Sequence, residues 1–226
     1  MKKKIFLTGS EGLIGSYLEK KLKKKYHVIS SDLAKGDDLE DSDYLKKIFS
    51  KNKIYAVIFC HGLNSTPLSK SKIDKSIEFD EKKINNYLKV NFYLNIKVIK
   101  NLLQFQKEGR IINLSTIYSI KSPKHFIYKN FSKDLGYCAS KSAANMMMKY
   151  FGAKYGKKYL FNSIILGGVK SKGLSTFFIK NYKKNNPKGK MMNLEEIYPA
   201  ISFLLDKNNT HTNAQEIFVE GGWLSW

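Results

Sequence analysis

The sequence predicts one α/β domain in which helices cover both faces of a parallel sheet, the doubly wound arrangement. Short apolar runs of β type alternate with longer helical patterns, as such a sheet requires. The 226 residues suit one domain better than two. No internal repeat and no Pro/Gly-rich linker marks a boundary, so we expect residues 1–226 to form a single domain.

Apolar runs and helical periodicity locate the individual elements. The predicted strands are residues 4–7, 27–31, 56–60, 110–114, 161–166 and 216–219. The predicted helices are residues 13–24, 43–51, 84–105, 137–155 and 194–205. Residues 119–136 and 170–190 follow neither pattern, and we expect both segments to be loops.

The connection that follows the second strand is unusually short. Only five residues separate Asp32, at the end of that strand, from Asp38. A crossover between two parallel strands needs about ten residues or more. The sequence therefore predicts that the helix between strands two and three is missing.

The composition limits the class of partner. There are 40 Lys and Arg residues against 19 Asp and Glu, a net charge of +21, and a basic surface can bind nucleic acid. However, Arg110 is the only arginine, although nucleic-acid sites favour arginine, and the lysines are spread along the whole chain. We interpret the charge as a solvated surface whose field attracts anionic substrates, and we expect no nucleic-acid partner.

The cysteines and histidines give no sign of a disulfide framework or a metal site. Cys60 and Cys138 show no pairing pattern, and neither they nor the four histidines have metal-ligand spacing. No apolar run reaches the roughly 18 residues of a membrane helix, and the short apolar stretch after the basic start is a poor signal peptide. We therefore expect a cytoplasmic protein with no metal and no membrane partner.

The first predicted strand runs into a glycine-rich turn, residues 8–15, and a helical pattern follows at once. Gly9 and Gly12 allow a tight turn and the close approach of a pyrophosphate at the helix N-terminus, while Gly15 lets helix and strand pack closely. At Asp32, a carboxylate accepts hydrogen bonds from an adenosine ribose and repels a 2′-phosphate. The alternative is a bare turn with an incidental aspartate. The pattern favours NAD over NADP.

A tyrosine and a lysine lie at the start of the fourth predicted helix. Tyr137 and Lys141 are four residues apart and so share one helix face. A nearby ammonium favours the phenolate and lowers the pKa of a tyrosine, which is near 10 when free. Such a pair can move a proton to or from a substrate hydroxyl during hydride transfer with a nicotinamide. The spacing alone is common on helix surfaces, but its place in a nucleotide-binding sheet favours a catalytic role.

Together these motifs resemble the short-chain dehydrogenase/reductase family, and the resemblance covers nearly the whole chain. In the family's own count of strands, the matching motifs are the glycine turn, Asp38-Leu39 of strand three, Asn91, Asn113-Leu114-Ser115-Thr116 at the end of strand five, the YxxxK motif of Tyr137 and Lys141, and Val219-Glu220-Gly221-Gly222-Trp223. The resemblance implies a Rossmann-type fold and an NAD-dependent oxidoreductase.

The resemblance also implies a role for each residue of a catalytic tetrad. Tyr137 would be the acid or base, Lys141 would anchor the ribose and modify the pKa of Tyr137, Thr116 would orient the substrate oxygen, and Asn91 would hold a relay water. The family normally has Ser at the Thr116 position, so Ser115 is the alternative. The implied cofactor-binding residues are Gly9, Ser10, Gly12, Leu13, Ile14, Asp32, Asp38, Leu39, Cys60, His61, Gly62, Tyr137, Lys141, Gly168 and Val169.

One segment departs from the family pattern. Phe59-Cys60-His61-Gly62 stands where the family has Asn-Asn-Ala-Gly. We interpret His61 as a backbone contact in the floor of the cofactor site, and the alternative is a catalytic base.

A finer resemblance bears on the substrate. The glycine spacing is that of the family's extended branch, yet the chain lacks room for that branch's C-terminal substrate domain. This combination is similar to a subgroup linked to flagellin modification and nonulosonic-acid sugar biosynthesis. It implies a dehydrogenase or reductase acting on a sugar or an activated sugar, such as a nucleotide or amino sugar. The alternatives are a sugar-nucleotide epimerase that uses NAD transiently and a non-catalytic NAD-binding protein.

Two further expectations concern assembly and the long loop. The family resemblance implies a homodimer through apolar residues of the two long helices, or a homotetramer that adds residues 223–226. The alternative is that those residues are core. Residues 119–136 are longer than the corresponding family segment and must border the pocket, so their lysines and aromatic rings suit an anionic or nucleotide-linked sugar. A solvated surface loop with aromatic anchors is the alternative.

Overall fold

The computed structural model describes residues 2–67 and 80–225. Within them, six parallel strands form one sheet in the order β2-β1-β3-β4-β5-β6. The strands are β1 Lys4–Thr8, β2 His27–Ser31, β3 Ile54–Phe59, β4 Gly109–Thr116, β5 Tyr159–Leu166 and β6 Glu216–Val219. The order changes direction between β1 and β3, as in a Rossmann-type doubly wound sheet, so the predicted fold class is confirmed.

Helices pack on both faces of this sheet. In the described residues they are α1 Leu13–Leu22, α2 Ser42–Lys51, α3 Glu81–Leu88, α4 Leu94–Phe105, α5 Leu135–Tyr155, α6 Thr176–Lys184 and α7 Tyr198–Leu205. A π-helical turn, Lys89–Tyr93, joins α3 to α4 and divides what the sequence predicted as one helix. The predicted 170–190 loop contains α6, whose buried Phe178 and Tyr182 are four residues apart, the spacing of a helix face.

Alternation along the strands divides the core into two layers. On β1, Ile5 and Leu7 face the layer that α1 and α7 cover, whereas Phe6 faces the layer that α2, α4 and α5 cover. The buried side chains of α4, Val98, Ile99 and Leu102, belong to that second layer. These apolar residues of the first long helix, which the family resemblance assigned to a dimer interface, are therefore core, which was the alternative interpretation.

The connection between β2 and α2 contains no crossover helix, as predicted, but it also lacks the strand expected at Asp38-Leu39. Its only helical part is the single 3-10 turn Leu33–Lys35. Asp38 and Leu39, expected in a third strand, lie in a turn where the Asp38 carboxylate accepts from the Glu40 N–H at 2.8 Å. Without a crossover helix the chain cannot return parallel to β2, so it leads directly into α2 and leaves β2 as an edge strand.

None of the helices in residues 2–67 and 80–225 is long and apolar enough to cross a membrane.

Candidate active site

A cavity of about 540 Å³ lies at the carboxyl end of the sheet, between the segments that follow β1, β3, β4 and β5. This is where ligands bind in open α/β sheets. Twelve of the residues predicted from the sequence line it. They are Gly12, Leu13, Ile14, Cys60, His61, Gly62, Ser115, Thr116, Tyr137, Lys141, Gly168 and Val169.

The glycine turn has the geometry that a bound pyrophosphate needs. Gly9 has φ +68°, and a Cβ there would lie 2.4 Å from the backbone nitrogen of His61. A Cβ on Gly15 would lie 1.9 Å from the carbonyl oxygen of Gly9. Gly12 is the N-cap of α1, and no side chain caps the helix, so its first N–H groups are open to an anion. These features fit a dinucleotide.

The side chain of Asp32 closes the glycine turn against β2. One oxygen accepts from the Glu11 N–H at 2.9 Å, and the other accepts from the Ala34 N–H at 3.0 Å. The same 3-10 turn returns Lys35 to this edge, where its ammonium bonds Ser10 Oγ at 3.0 Å and pairs with Glu11 at 2.7 Å. Sequence reasoning missed Lys35, because only the folded turn brings it beside the glycine loop.

Asp38 and Leu39, expected to bind the cofactor, are placed differently from the expectation. Leu39 is buried in the core layer of α2 and α4, and the carboxylate of Asp38 caps its own turn. Neither residue is among those that line the cavity.

Asn91 lies in the π-helical turn between α3 and α4, and its amide is fully engaged. Its Oδ1 accepts from the Leu63 N–H at 2.8 Å, and its Nδ2 donates to the Leu63 carbonyl at 3.1 Å and to Ser140 Oγ at 2.9 Å. The side chain therefore clamps the segment after β3 to α5. A Cβ on Gly62 would come within 2.9 Å of Asn91 Oδ1, so the close packing of this clamp requires glycine.

Tyr137, in the first turn of α5, is buried in the wall of the cavity. Burial raises the pKa of its phenol to about 12, and a hydrogen bond with the Thr116 hydroxyl acts in the opposite direction. The neighbouring Ser115 hydroxyl instead donates to Ser119 Oγ at 3.1 Å. Of the two candidate hydroxyls, the one on Thr116 lies against Tyr137.

Lys141 lies one turn further along α5 and is also buried. Its ammonium donates to the Leu114 carbonyl at 3.0 Å and would lie 3.3 Å from a Cβ on Gly62. Burial lowers the pKa of Lys141 to about 8. The phenol and the ammonium therefore share one cavity with the glycine turn. The expected lowering of the pKa of Tyr137 by Lys141 is not seen, because burial raises that pKa instead.

The imidazole of His61 forms a hydrogen bond within the protein and is uncharged at neutral pH. Its Nδ1 forms a hydrogen bond with the Thr8 hydroxyl at 2.6 Å. Burial, and then the charge of Lys141, lower the pKa of His61 to about 3. A base with so low a pKa is a weak proton acceptor.

The segment 119–136 is divided between cavity and surface. Tyr128 and Lys133 line the cavity, beside Tyr118 just before the segment, and the hydroxyls of Tyr118 and Tyr128 lie 2.7 Å apart. By contrast, Lys129 is exposed and Phe126 is 67% exposed. Part of this segment therefore borders the cavity, as expected, and part of it is exposed surface; the anionic substrate remains a prediction.

Comparison with known families decides the class. The family model described as enoyl-(acyl carrier protein) reductase, one of the short-chain dehydrogenases and reductases, matches residues 17–224. The chain belongs to the short-chain dehydrogenase/reductase family. It is therefore an oxidoreductase of this family, as the motifs predicted.

Curated relatives in the family are distant. The 3-oxoacyl-[acyl-carrier-protein] reductase FabG of Rickettsia prowazekii is 27% identical over 222 residues, which cover 96% of this chain and 87% of that protein. Post-translational flagellin modification protein A of Campylobacter coli is 28% identical over 124 residues, which cover 52% of this chain and 47% of that protein.

Solved structures of the family share the fold. A short-chain dehydrogenase of Leptospira borgpetersenii with bound NAD+ superposes with a TM-score of 0.84 at 21% identity, covering 99% of this chain and 93% of its own. A small-chain dehydrogenase in complex with NADPH gives a TM-score of 0.80 at 19% identity, with 100% of each chain covered.

Proposed function

We propose that this protein is an NAD-dependent oxidoreductase that interconverts a hydroxyl and a ketone on a sugar or an activated sugar. The observation that supports this most is the placement of Tyr137, Lys141 and Thr116 in one cavity with the glycine turn. A bound nicotinamide supplies or accepts the hydride. Tyr137 gives or takes the hydroxyl proton, Thr116 orients the substrate oxygen, and Asn91 positions the segment that faces them.

The cofactor site extends from the glycine turn along the carboxyl ends of β1, β3 and β5. The open N-terminus of α1 would hold its pyrophosphate, and Asp32 would accept hydrogen bonds from the adenosine ribose. The segments 119–136 and 170–190 border the substrate, because Tyr128 and Lys133 of the first and Lys172 and Leu174 of the second line the cavity.

Two observations support a sugar substrate in surface-glycan or flagellin-glycan biosynthesis. Part of the chain is similar to flagellin modification protein A. The described cavity lining has lysines and no carboxylate, which suits a phosphorylated, carboxylated or nucleotide-linked sugar.

We also place the protein in the cytoplasm, where the unpaired Cys60 and Cys138 would stay reduced.

A substrate panel tests the proposal. Hydroxy and keto sugars and nucleotide sugars are incubated with NAD or NADH while absorbance at the NADH wavelength is followed. We expect a sugar-dependent absorbance change that scales with the product formed. Product formation without any absorbance change would indicate an NAD-using epimerase, and cofactor binding without any product would indicate a non-catalytic protein.

A second candidate is reduction of a 3-oxoacyl thioester. The similarity to FabG over 222 residues favours it, and the reaction uses the same proton donor. Acetoacetyl-CoA in the panel distinguishes the two. Turnover of this thioester at a kcat/KM above that of every sugar would replace the sugar assignment.

Cofactor choice gives a first prediction. Since Asp32 repels a 2′-phosphate, NAD(H) should bind at least about tenfold more tightly than NADP(H), or about 1.4 kcal/mol. Asp32→Ala should lower the ratio of NAD(H) affinity to NADP(H) affinity, whereas Lys35→Ala should raise this ratio by removing a cation next to Ser10. Calorimetric titration of NAD(H) and NADP(H) into the wild type and the two variants measures the six affinities. Equal or reversed affinities in the wild type contradict the assignment of NAD.

A second prediction concerns assembly as a homodimer or homotetramer. On α5, Met146 is 64% and Tyr150 58% exposed, so apolar surface remains there although Met147 and Met148 are core. Light scattering at micromolar concentration should show a dimer or tetramer, and Met146→Lys with Tyr150→Lys should shift it toward a monomer. The equally exposed Phe126 is the control, as Phe126→Lys.

A monomeric wild type contradicts the assembly. The contribution expected from residues 223–226 is limited, since Trp223 is buried against Tyr182 with ring centroids 4.5 Å apart. Trp226 lies outside the described residues.

A further inference from the structure

The substrate side of the cavity is positively charged. In the part of the lining that the structure describes, three lysines, Lys133, Lys141 and Lys172, face no aspartate or glutamate. Lys141 belongs to the pair with Tyr137 and bonds the Leu114 carbonyl. The other two cations come from the segments before α5 and before α6 and have no part in the proton transfer described above.

Lys133 is the buried one of these two. It is 8% exposed and immediately precedes Asp134, the N-cap of α5. Its ammonium lies 4.2 Å from the ring centroid of Tyr137 and 5.9 Å from that of Tyr118. The ammonium of Lys133 therefore lies over the ring of the tyrosine to which we assign the proton transfer.

The ammonium of Lys133 forms no ion pair in the described residues, although the charge of the adjacent Asp134 partly offsets the lowering of its pKa by burial. Its ammonium donates to the Asn64 side-chain oxygen and the Ser65 carbonyl, both uncharged acceptors, which leaves one of its three donors. The adjacent Asp134 is already engaged by Tyr87 and by Lys83, the latter at 3.1 Å. No ion pair forms at Lys133 within residues 2–67 and 80–225.

A buried ammonium without an anion is unfavourable for the fold. Burial lowers the pKa of Lys133 to about 8, which reflects the free energy needed to keep the charge out of water. Strongly shifted groups in a cleft are characteristic of functional sites. An anion entering the cavity would compensate this charge and accept a hydrogen bond from the remaining N–H group of Lys133.

We propose that Lys133 is a substrate-binding residue that holds a carboxylate or phosphate group close to the carbon that is oxidised or reduced. The substrate is accordingly an anionic hydroxy or keto compound, with the exposed Lys172 at the outer end of the same cavity. This inference rests on the proposed function, since it takes the cavity to be the substrate site of an oxidoreductase.

Pairs of similar probes, one anionic and one neutral, test the inference without knowledge of the natural substrate. The protein saturated with NADH is titrated with acetoacetate and its neutral ethyl ester, and with dihydroxyacetone phosphate and neutral dihydroxyacetone, while NADH fluorescence is followed. Wild type should bind at least one anion about tenfold or more tightly than its neutral counterpart. The pair that shows the difference identifies carboxylate or phosphate as the group recognised.

The variants separate a binding role from a structural one. Lys133→Met should remove the preference for the anion, leave the affinity for the neutral probe unchanged, and retain NADH binding. The exposed Lys129→Met is the matched control and should behave as wild type. Equal weakening of anion and neutral probe would show that Lys133 only tethers Asn64 and Ser65, and this result overturns the inference.

Two outcomes in the wild type are also decisive. If neither anion binds more tightly than its neutral counterpart, Lys133 is not an anion site. Failure of the wild type to bind NADH contradicts the proposed function itself, so the two failures are distinguishable.

Discussion

Tyr137→Phe is expected to lower kcat/KM by about 10²- to 10⁴-fold, the contribution of a positioned acid or base. Only the phenolic hydroxyl is removed, and the buried ring remains against Tyr87, at 6.3 Å between centroids. NADH affinity and the thermal midpoint should therefore change little. Steady-state kinetics on the substrate found by the panel, with calorimetry of NADH binding, measure the two effects separately.

The control for this variant lies on the same helix. Tyr150→Phe removes a hydroxyl from an exposed ring of α5 and should retain wild-type kinetics.

Because burial raises the pKa of Tyr137 to about 12, its phenol is protonated and ready to donate at neutral pH. Ketone reduction should therefore be favoured there, and alcohol oxidation should rise with pH. A Tyr137→Phe protein with more than about a tenth of wild-type activity contradicts its role.

Lys141→Met is expected to lower kcat/KM by about 10²-fold or more without weakening the fold at neutral pH. The wild-type ammonium is buried, and its pKa falls from 10.5 to about 8. At about 1.4 kcal/mol for each pKa unit, the charged form destabilises the folded state by on the order of 3 kcal/mol. Methionine has similar length and no charge, so the substitution removes this destabilisation.

The pH dependence of stability checks the sign of this effect. Below about pH 8 Lys141 is protonated in both states, and the folded state bears the whole penalty. Between about pH 8 and 10.5 the folded state releases the proton first, so this residue makes the free energy of unfolding rise with pH. Thermal unfolding should show a smaller rise in Lys141→Met than in the wild type.

A matched substitution isolates burial as the cause. Lys154→Met removes an exposed lysine from the last turn of α5 and should change neither kinetics nor the pH dependence. A Lys141→Met protein that loses several degrees of thermal midpoint at neutral pH would show that the Leu114 hydrogen bond outweighs the burial of charge.

The strands and the glycine turn could be predicted because each depends on local pattern. All six strands predicted from apolar runs are confirmed, and the runs of the inner strands β1, β3, β4 and β5 are largely buried, as in a parallel sheet with helices on both faces. The Tyr137 and Lys141 pair shares a helix face as expected, because i, i+4 geometry follows from the helix alone. The short segment after Asp32 excluded a helix by length.

Other features depended on the path of the chain between elements. Lys35 reaches the glycine turn only through the 3-10 turn that Asp32 caps. The segment before α5 separates the buried Lys133 from the exposed Lys129, although both are lysines of one irregular stretch. The strand that the family resemblance implies at Asp38 does not form, because the shortened connection leaves no chain to form it.

The most direct test of the central claim is the transfer of hydride itself. NADH dideuterated at C4 of the nicotinamide is incubated with the wild-type protein and the substrate panel, and the products are analysed by mass spectrometry. We expect about one deuterium per NADH oxidised, bound to the carbon of the new hydroxyl, and transfer about 10²- to 10⁴-fold slower with Tyr137→Phe. Oxidation of NADH without deuterium in any product, or no turnover of any ketone, contradicts the account.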